Sequence, residues 1–202
     1  MIKALLFKDI NVLKRYARLL LVMAVVCSFL FKDQGSALIV MIYSSSLMLT
    51  TMAIDEREHF LRRAISDSGR KKEIVGEKYI LLLMLVGIAG VLSVILEYIM
   101  ALFYHRPLAW DGVAMEILTG FAITSFSGST TIPLTLKFGS EKARIILLLC
   151  YMVPAVFVIW LFSSIDITLS LPLIIIAAVL FSVLCNIVSF LISLRLLVKK
   201  DF

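Results

Sequence analysis

Six apolar blocks alternate along the chain with polar breaks, and one break is far larger than the rest. The blocks run Tyr16–Phe31, Ser36–Ile54, Tyr79–Tyr104, Gly112–Leu136, Ile145–Phe162 and Leu169–Leu197. Each is close to or beyond the ~20 residues that carry a helix across a ~30 Å hydrocarbon core. The roughly ten-residue alternation of a transmembrane β-barrel is absent. The pattern predicts an all-α polytopic membrane protein, a single transmembrane domain over residues 1–202 with six membrane helices. Its first block is short and its third long, so tilt or partial burial in the headgroup layer is expected.

Residues 1–15 have a helical period of their own. Ile2, Leu5, Leu6, Ile10 and Leu13 fall on one face, with Lys3, Lys8, Asn11 and Lys14 away from it. A basic amphipathic helix beside a membrane span lies in the inner headgroup layer. The plainer alternative is a simple extension of the first span.

The large break, residues 55–78, reads DEREHFLRRAISDSGRKKEIVGEK. The chain has 20 basic and 14 acidic residues, and seven of the former and six of the latter lie here. Asp55–Ile65 predicts a helix: acidic residues at its start suit the positive end of the dipole, and Phe60, Leu61, Ala64 and Ile65 form an apolar stripe. Ser66-Asp67-Ser68-Gly69 is a turn signal, after which Arg70–Lys78 starts a second helix, with Tyr79 marking the interface where the third span begins.

The fourth block differs from its neighbours in carrying hydroxyls at positions 119, 124, 125, 127, 129, 130, 131 and 135. Small residues let helices approach closely in lipid, and hydroxyls bond across them. A tightly packed seam and a polar conduit lining both fit that pattern. Pro133 removes a backbone donor and predicts a kink or stop, and Gly139 suits a helix C-terminal cap.

Composition agrees with membrane residence. The chain is 61% hydrophobic with mean hydropathy +1.05, well above the roughly half-apolar makeup of soluble domains. Of the 20 Lys and Arg residues, all but Lys32 and Arg106 fall in the breaks and ends assigned to one side. That asymmetry predicts that both termini are cytoplasmic. The net charge of +6 then reports topology and contact with anionic membrane lipids, not nucleic acid. Cys27, Cys150 and Cys185 all lie in apolar blocks without metal-ligand spacing and read as small packing residues. The charged start runs too far, and no small-residue cleavage site follows, so the first span is expected to stay attached.

Few residues suggest chemistry. Glu97 stands in an apolar run, where a carboxyl is costly unless it pairs, neutralises or meets water. It reads equally as a substrate or proton contact and as a group near the outer interface. With Thr124, Ser125, Ser127 and Thr130 it makes up the candidate conduit. His59 and His105, the only histidines, are expected on opposite sides of the membrane, which argues against a His-based metal site and a Ser–His protease. No GxxxxGK[ST] phosphate loop occurs, so the chain is expected to have no ATPase site of its own and not to be an enzyme.

Three stretches resemble a known family. Leu5-Leu6-Phe7-Lys8-Asp9 is similar to its amphipathic start, and Arg70-Lys71-Lys72-Glu73-Ile74-Val75-Gly76-Glu77-Lys78-Tyr79 to its approach to span three. Pro133-Leu134-Thr135-Leu136-Lys137-Phe138-Gly139-Ser140-Glu141-Lys142-Ala143-Arg144 is the most specific of the three. With the span count, these resemble an ABC-2 type transporter permease, and more narrowly the small phenol-soluble-modulin exporter permeases of Gram-positive bacteria. Asp67-Ser68-Gly69 stands where that family has Leu-Pro, and Arg70 where it has a small hydroxyl residue.

The resemblance implies a bacterial plasma-membrane permease of an ABC exporter. It would work with a separate ATP-binding subunit, which would hold the ATP and Mg, and with a second permease as homodimer or heterodimer. Amphipathic peptides or other amphiphiles would be the cargo. Asp55, Glu56, His59, Phe60, Leu61, Arg62 and Arg63 would form the ATPase-coupling helix. Lys137, Phe138, Gly139, Glu141, Lys142 and Arg144 would form a second cytoplasmic loop. A membrane immunity or sensor subunit that transports nothing is the alternative.

Overall fold

A computed structural model describes residues 2–30, 36–57, 71–105, 110–146 and 171–199. Every regular element among them is α-helical. We number them α1 (Ile2–Leu30), α2 (Ser36–Arg57), α3 (Lys71–Phe103), α4 (Trp110–Phe138), α5 (140–146) and α6 (Leu171–Lys199). Nearly all of the fifth predicted span, and His59 to Arg63 of the predicted coupling helix, lie outside the described residues.

Interhelix contacts give the direction of each helix. Lys78 meets Asp9 near the start of both α1 and α3, and Phe29 meets Phe103 at their far ends, so these two helices run parallel. The start of α3 meets Asp55 at the end of α2, so α2 is antiparallel to both. Phe126 stacks on Phe181, Ser125 takes a hydrogen bond from Asn186, and Ser129 takes one from Ser189, so α4 and α6 run side by side in the same direction. The starts of α1 and α3 and the ends of α2, α4 and α6 therefore gather at one end of the bundle. We call it the charged end.

α4 lies at the centre, packed against α2, α3 and α6. Met41, Met48 and Met52 of α2, Leu82 and Val86 of α3, and Ile132 and Leu136 of α4 form the apolar core. Gly128 lets α3 approach α4: a methyl group there would overlap the buried Leu82 side chain. Facing away from the core, Leu83, Ile88, Val91, Ile95 and Leu102 of α3 and Leu180, Leu184, Ile187 and Leu191 of α6 are exposed. Apolar exposure on this scale suits lipid rather than water.

Two described helices, Lys71–Phe103 and Val179–Val198, are long and apolar enough to cross a membrane. At 1.5 Å per residue the 33 residues of α3 extend about 50 Å, well beyond a ~30 Å core. Its charged first turns, from Lys71 to Lys78, account for about 12 Å of the excess.

As expected, the basic approach is helical and runs without a break into the third span, from Lys71 to Phe103. One expected division does not hold. Residues 1–15 and 16–31 are not separate pieces, because Ile2–Leu30 is one helix. The expected interfacial stripe also turns inward: Leu5 and Leu13 are buried, and Leu13 joins the core cluster. The reason is the neighbouring carboxylate: Asp9 shares their face and is held by a lysine of α3.

Candidate functional site

Among the described residues, five charged side chains meet inside the charged end. They are Lys8 and Asp9 of α1, Asp55 of α2, and Glu77 and Lys78 of α3. Helical spacing delivers each to the interior. Asp9 follows Leu5 by four residues and precedes Leu13 by four, so it sits in the middle of α1's buried face. Asp55 follows the buried Thr51 and Met52 in the same way, and Lys78 is flanked along α3 by buried Ile74, Val75, Leu81 and Leu82.

Lys78 is the hub. Its ammonium donates to Asp9 and lies 2.6 Å from Asp55 Oδ2, with Glu77 Oε2 at 3.4 Å. Lys8, partly exposed, donates to Asp55 and lies 3.4 Å from Asp9. Asp9 and Asp55 are each 1% exposed. Buried charge of this kind holds only where partners compensate desolvation, so each lysine bridges carboxylates from two helices. Among the described residues, three carboxyl groups face two ammonium groups. Asp55, expected on a docking surface, is thus an internal anchor of α2.

One residue further along, Glu56 reaches a different segment. α4 ends at Gly139, whose φ of +83° is the left-handed conformation that glycine adopts without strain. The Gly139 N–H bonds Thr135 O at 3.0 Å, and its carbonyl accepts the Ala143 N–H at 3.1 Å to begin α5. The Ser140 N–H, a donor left over at the start of α5, is taken by Glu56 Oε2 at 2.6 Å. A carboxylate there also meets the positive end of the helix. A side chain at position 139 would strike Glu56 Oε1, so glycine serves both the turn and this contact. Lys137, Phe138, Glu141, Lys142 and Arg144 are exposed around it, with the Lys137 ammonium 4.8 Å from the Phe138 ring centre.

Beside Lys78, Tyr79 starts a hydroxyl relay. Pro133 has no N–H, so the Ser129 carbonyl four residues earlier loses its helical donor. Ser189 of α6 donates to that carbonyl instead. Because Ser189 spends its proton there, Tyr79 must donate to Ser189 at 2.6 Å, and Ser193 then donates to the Tyr79 oxygen at 3.0 Å. A proline defect in one helix is thereby repaired by two others.

The candidate conduit residues do not converge. Thr124, Ser125 and Ser127 are buried in the α4 interior, Ser127 bonded back to Ile123 O at 2.7 Å and Ser125 to Asn186 at 2.8 Å. Thr130 bonds Ser127 O at 2.9 Å and faces a groove. Glu97 is partly exposed, about 22 Å further along α3 than Leu82, the residue beneath Gly128. The placement is that of a packed seam.

Residues 4–197 match the sequence pattern that defines the ABC-2 family transporter proteins. The chain belongs to the ABC-2 family. No curated protein and no solved structure matches it. An ABC-2 protein is the membrane component of an ABC transporter, a permease without the ATPase, and it implies an ATP-binding partner.

In this ABC-2 permease the junction can lock three helices together at one end and resist their separation. It can also shift as a unit, because both lysines are shared between helices. Sequence reading missed it by placing Lys8 on the polar face of residues 1–15, Asp55 at the start of a docking helix and Lys78 in the approach to span three, and by giving Asp9 no role of its own. The available signal was a charge at core spacing, Leu5-Asp9-Leu13. Among the described residues, no group of His, Cys, Asp or Glu is arranged to hold a metal ion.

Proposed function

We propose that this ABC-2 protein is the six-helix permease of an ATP-driven bacterial exporter, with both termini cytoplasmic. It pairs with a second permease and two copies of a separate ATPase that binds ATP and Mg. The observation that carries the reading is the family match over residues 4–197. Cargo of amphipathic peptides or related amphiphiles rests on the resemblance to the phenol-soluble-modulin exporter permeases.

In this reading His59, Phe60, Leu61, Arg62 and Arg63 seat in a groove of the ATPase, the aromatic and aliphatic pair anchoring and the arginines setting register. Glu56 ties the root of that segment to Ser140, so the docking segment and the loop from Lys137 to Arg144 move together. Closure of the ATPases on ATP would pull α2 and α4 as rigid bodies, with the junction at Lys78 carrying α1 and α3 along.

The test is copurification. Phe60→Asp, or charge reversal at Arg62 and Arg63, should abolish recovery of the ATPase while membrane insertion persists; unchanged recovery would sink the docking assignment. Glu56→Ala should keep the ATPase bound and reduce ATP-driven transport. Normal transport by that variant would remove Glu56 from the coupling path.

A further inference from the structure

α4 and α6 leave between them a groove of about 670 Å³. Its walls are apolar: Phe126, Pro133 and Leu134 on one side, Leu184, Val188 and Ile192 on the other. The hydroxyls in it are already engaged. Ser129 Oγ and Thr130 Oγ1 bond their own helix, and Ser189 serves the proline-freed carbonyl. Among the described residues, Lys137 is the one charged side chain lining it, and Lys137 stands at the charged end.

We propose that this groove is a binding site for one anionic membrane lipid, its acyl chain between α4 and α6 and its headgroup at Lys137. Length argues for a lipid. From Phe126 to Lys137 the wall is eleven residues of helix, about 16 Å, or half the ~30 Å hydrocarbon thickness. The groove therefore spans a single leaflet. Position argues the same way, because Leu184, Val188 and Ile192 belong to the exposed face of α6 that suits lipid. Charge selects the headgroup: Lys137 is exposed, and among the exposed charges from 137 to 144 the three cations Lys137, Lys142 and Arg144 outnumber the one carboxylate, Glu141. A zwitterionic lipid would fill the same walls but gain less from these cations. The site does not depend on which way the protein faces; in the orientation proposed above the leaflet is the cytoplasmic one.

The test is photocrosslinking of the full chain in vesicles of zwitterionic phosphatidylcholine. These carry a trace of diazirine-bearing phosphatidylglycerol or, in parallel, diazirine-bearing phosphatidylcholine. Adducts on Thr130, Leu134, Cys185 and Val188 should be about fivefold more abundant with the anionic probe, the size expected for one lysine at a headgroup. Lys137→Gln should bring the two probes level, and Val188→Trp, which fills the groove from an exposed position, should remove both signals there. Equal labelling by the two probes, or labelling no denser than on the outer face of α3, would overturn the proposal. So would a Cys185–Cys185 crosslink between two chains, which would make a second copy the occupant. Absence of any adduct in the groove would assign it to the chain's own residues 147–170. Failure of ATPase copurification would leave this result untouched.

Discussion

The ionic junction and the hydroxyl seam lie side by side, joined at Lys78 and Tyr79, yet they hold helices by different physics. At the junction, α1, α2 and α3 are tied by full charges in a nearly dry interior, where each group depends on its partners. In the seam, α3, α4 and α6 are tied by neutral groups, Tyr79, Ser125, Asn186, Ser189 and Ser193, while Ser127, Thr131 and Thr135 bond back to their own helix. Removing a partner strands a charge in the first case and leaves a modest vacancy in the second. The junction should therefore behave as one cooperative unit, and the seam as a set of small, separable contacts.

The sharpest way to break that comparison is Lys78→Met. It leaves Asp9 and Asp55 buried against a single remaining lysine and should cost about 3–5 kcal/mol. A large fall in the midpoint of thermal unfolding in detergent would register it. Adding Asp55→Asn and Asp9→Asn to that variant should recover much of the loss, since neighbouring effects in one network do not add. Additive losses would show that the junction is not a unit.

A middle-sized effect is expected from Gly128→Ala in the seam. The new methyl group meets Leu82, which is fully buried, so α3 and α4 must shift at a cost of roughly 1–3 kcal/mol. The same unfolding measurement checks it, and an unchanged midpoint would mean that the two helices pack less closely than described. The smallest effect should come from Tyr79→Phe, which removes the relay's first donor and costs about 1 kcal/mol. A loss as large as that of Lys78→Met would erase the distinction between the two regions.

Parts of this site were legible and parts were not. Gly139 as a helix stop followed from its position after an apolar block, because cap chemistry is local. Pro133 was legible as a lost donor, but its repair by Ser189, 56 positions later, was not. Glu56 and the Lys137–Arg144 segment were both marked as candidates, yet nothing in the sequence joined them. Thr124, Ser125 and Ser127 looked alike as lining or as packing, since a hydroxyl pattern is the same whichever way a helix is rotated.

The sequence by itself determined that the chain is helical, how its apolar blocks are spaced, and that most of its charges fall in the breaks and near the ends of the blocks. Periodicity and hydropathy are properties of neighbours along the chain, so they are fixed before any helix meets another. Only the tertiary structure decided which charges pair. Lys8 with Asp55 and Lys78 with Asp9 are separated by 47 and 69 positions. Such pairs form because helix direction and rotation bring them to one buried point, and burial then makes each partner necessary to the other.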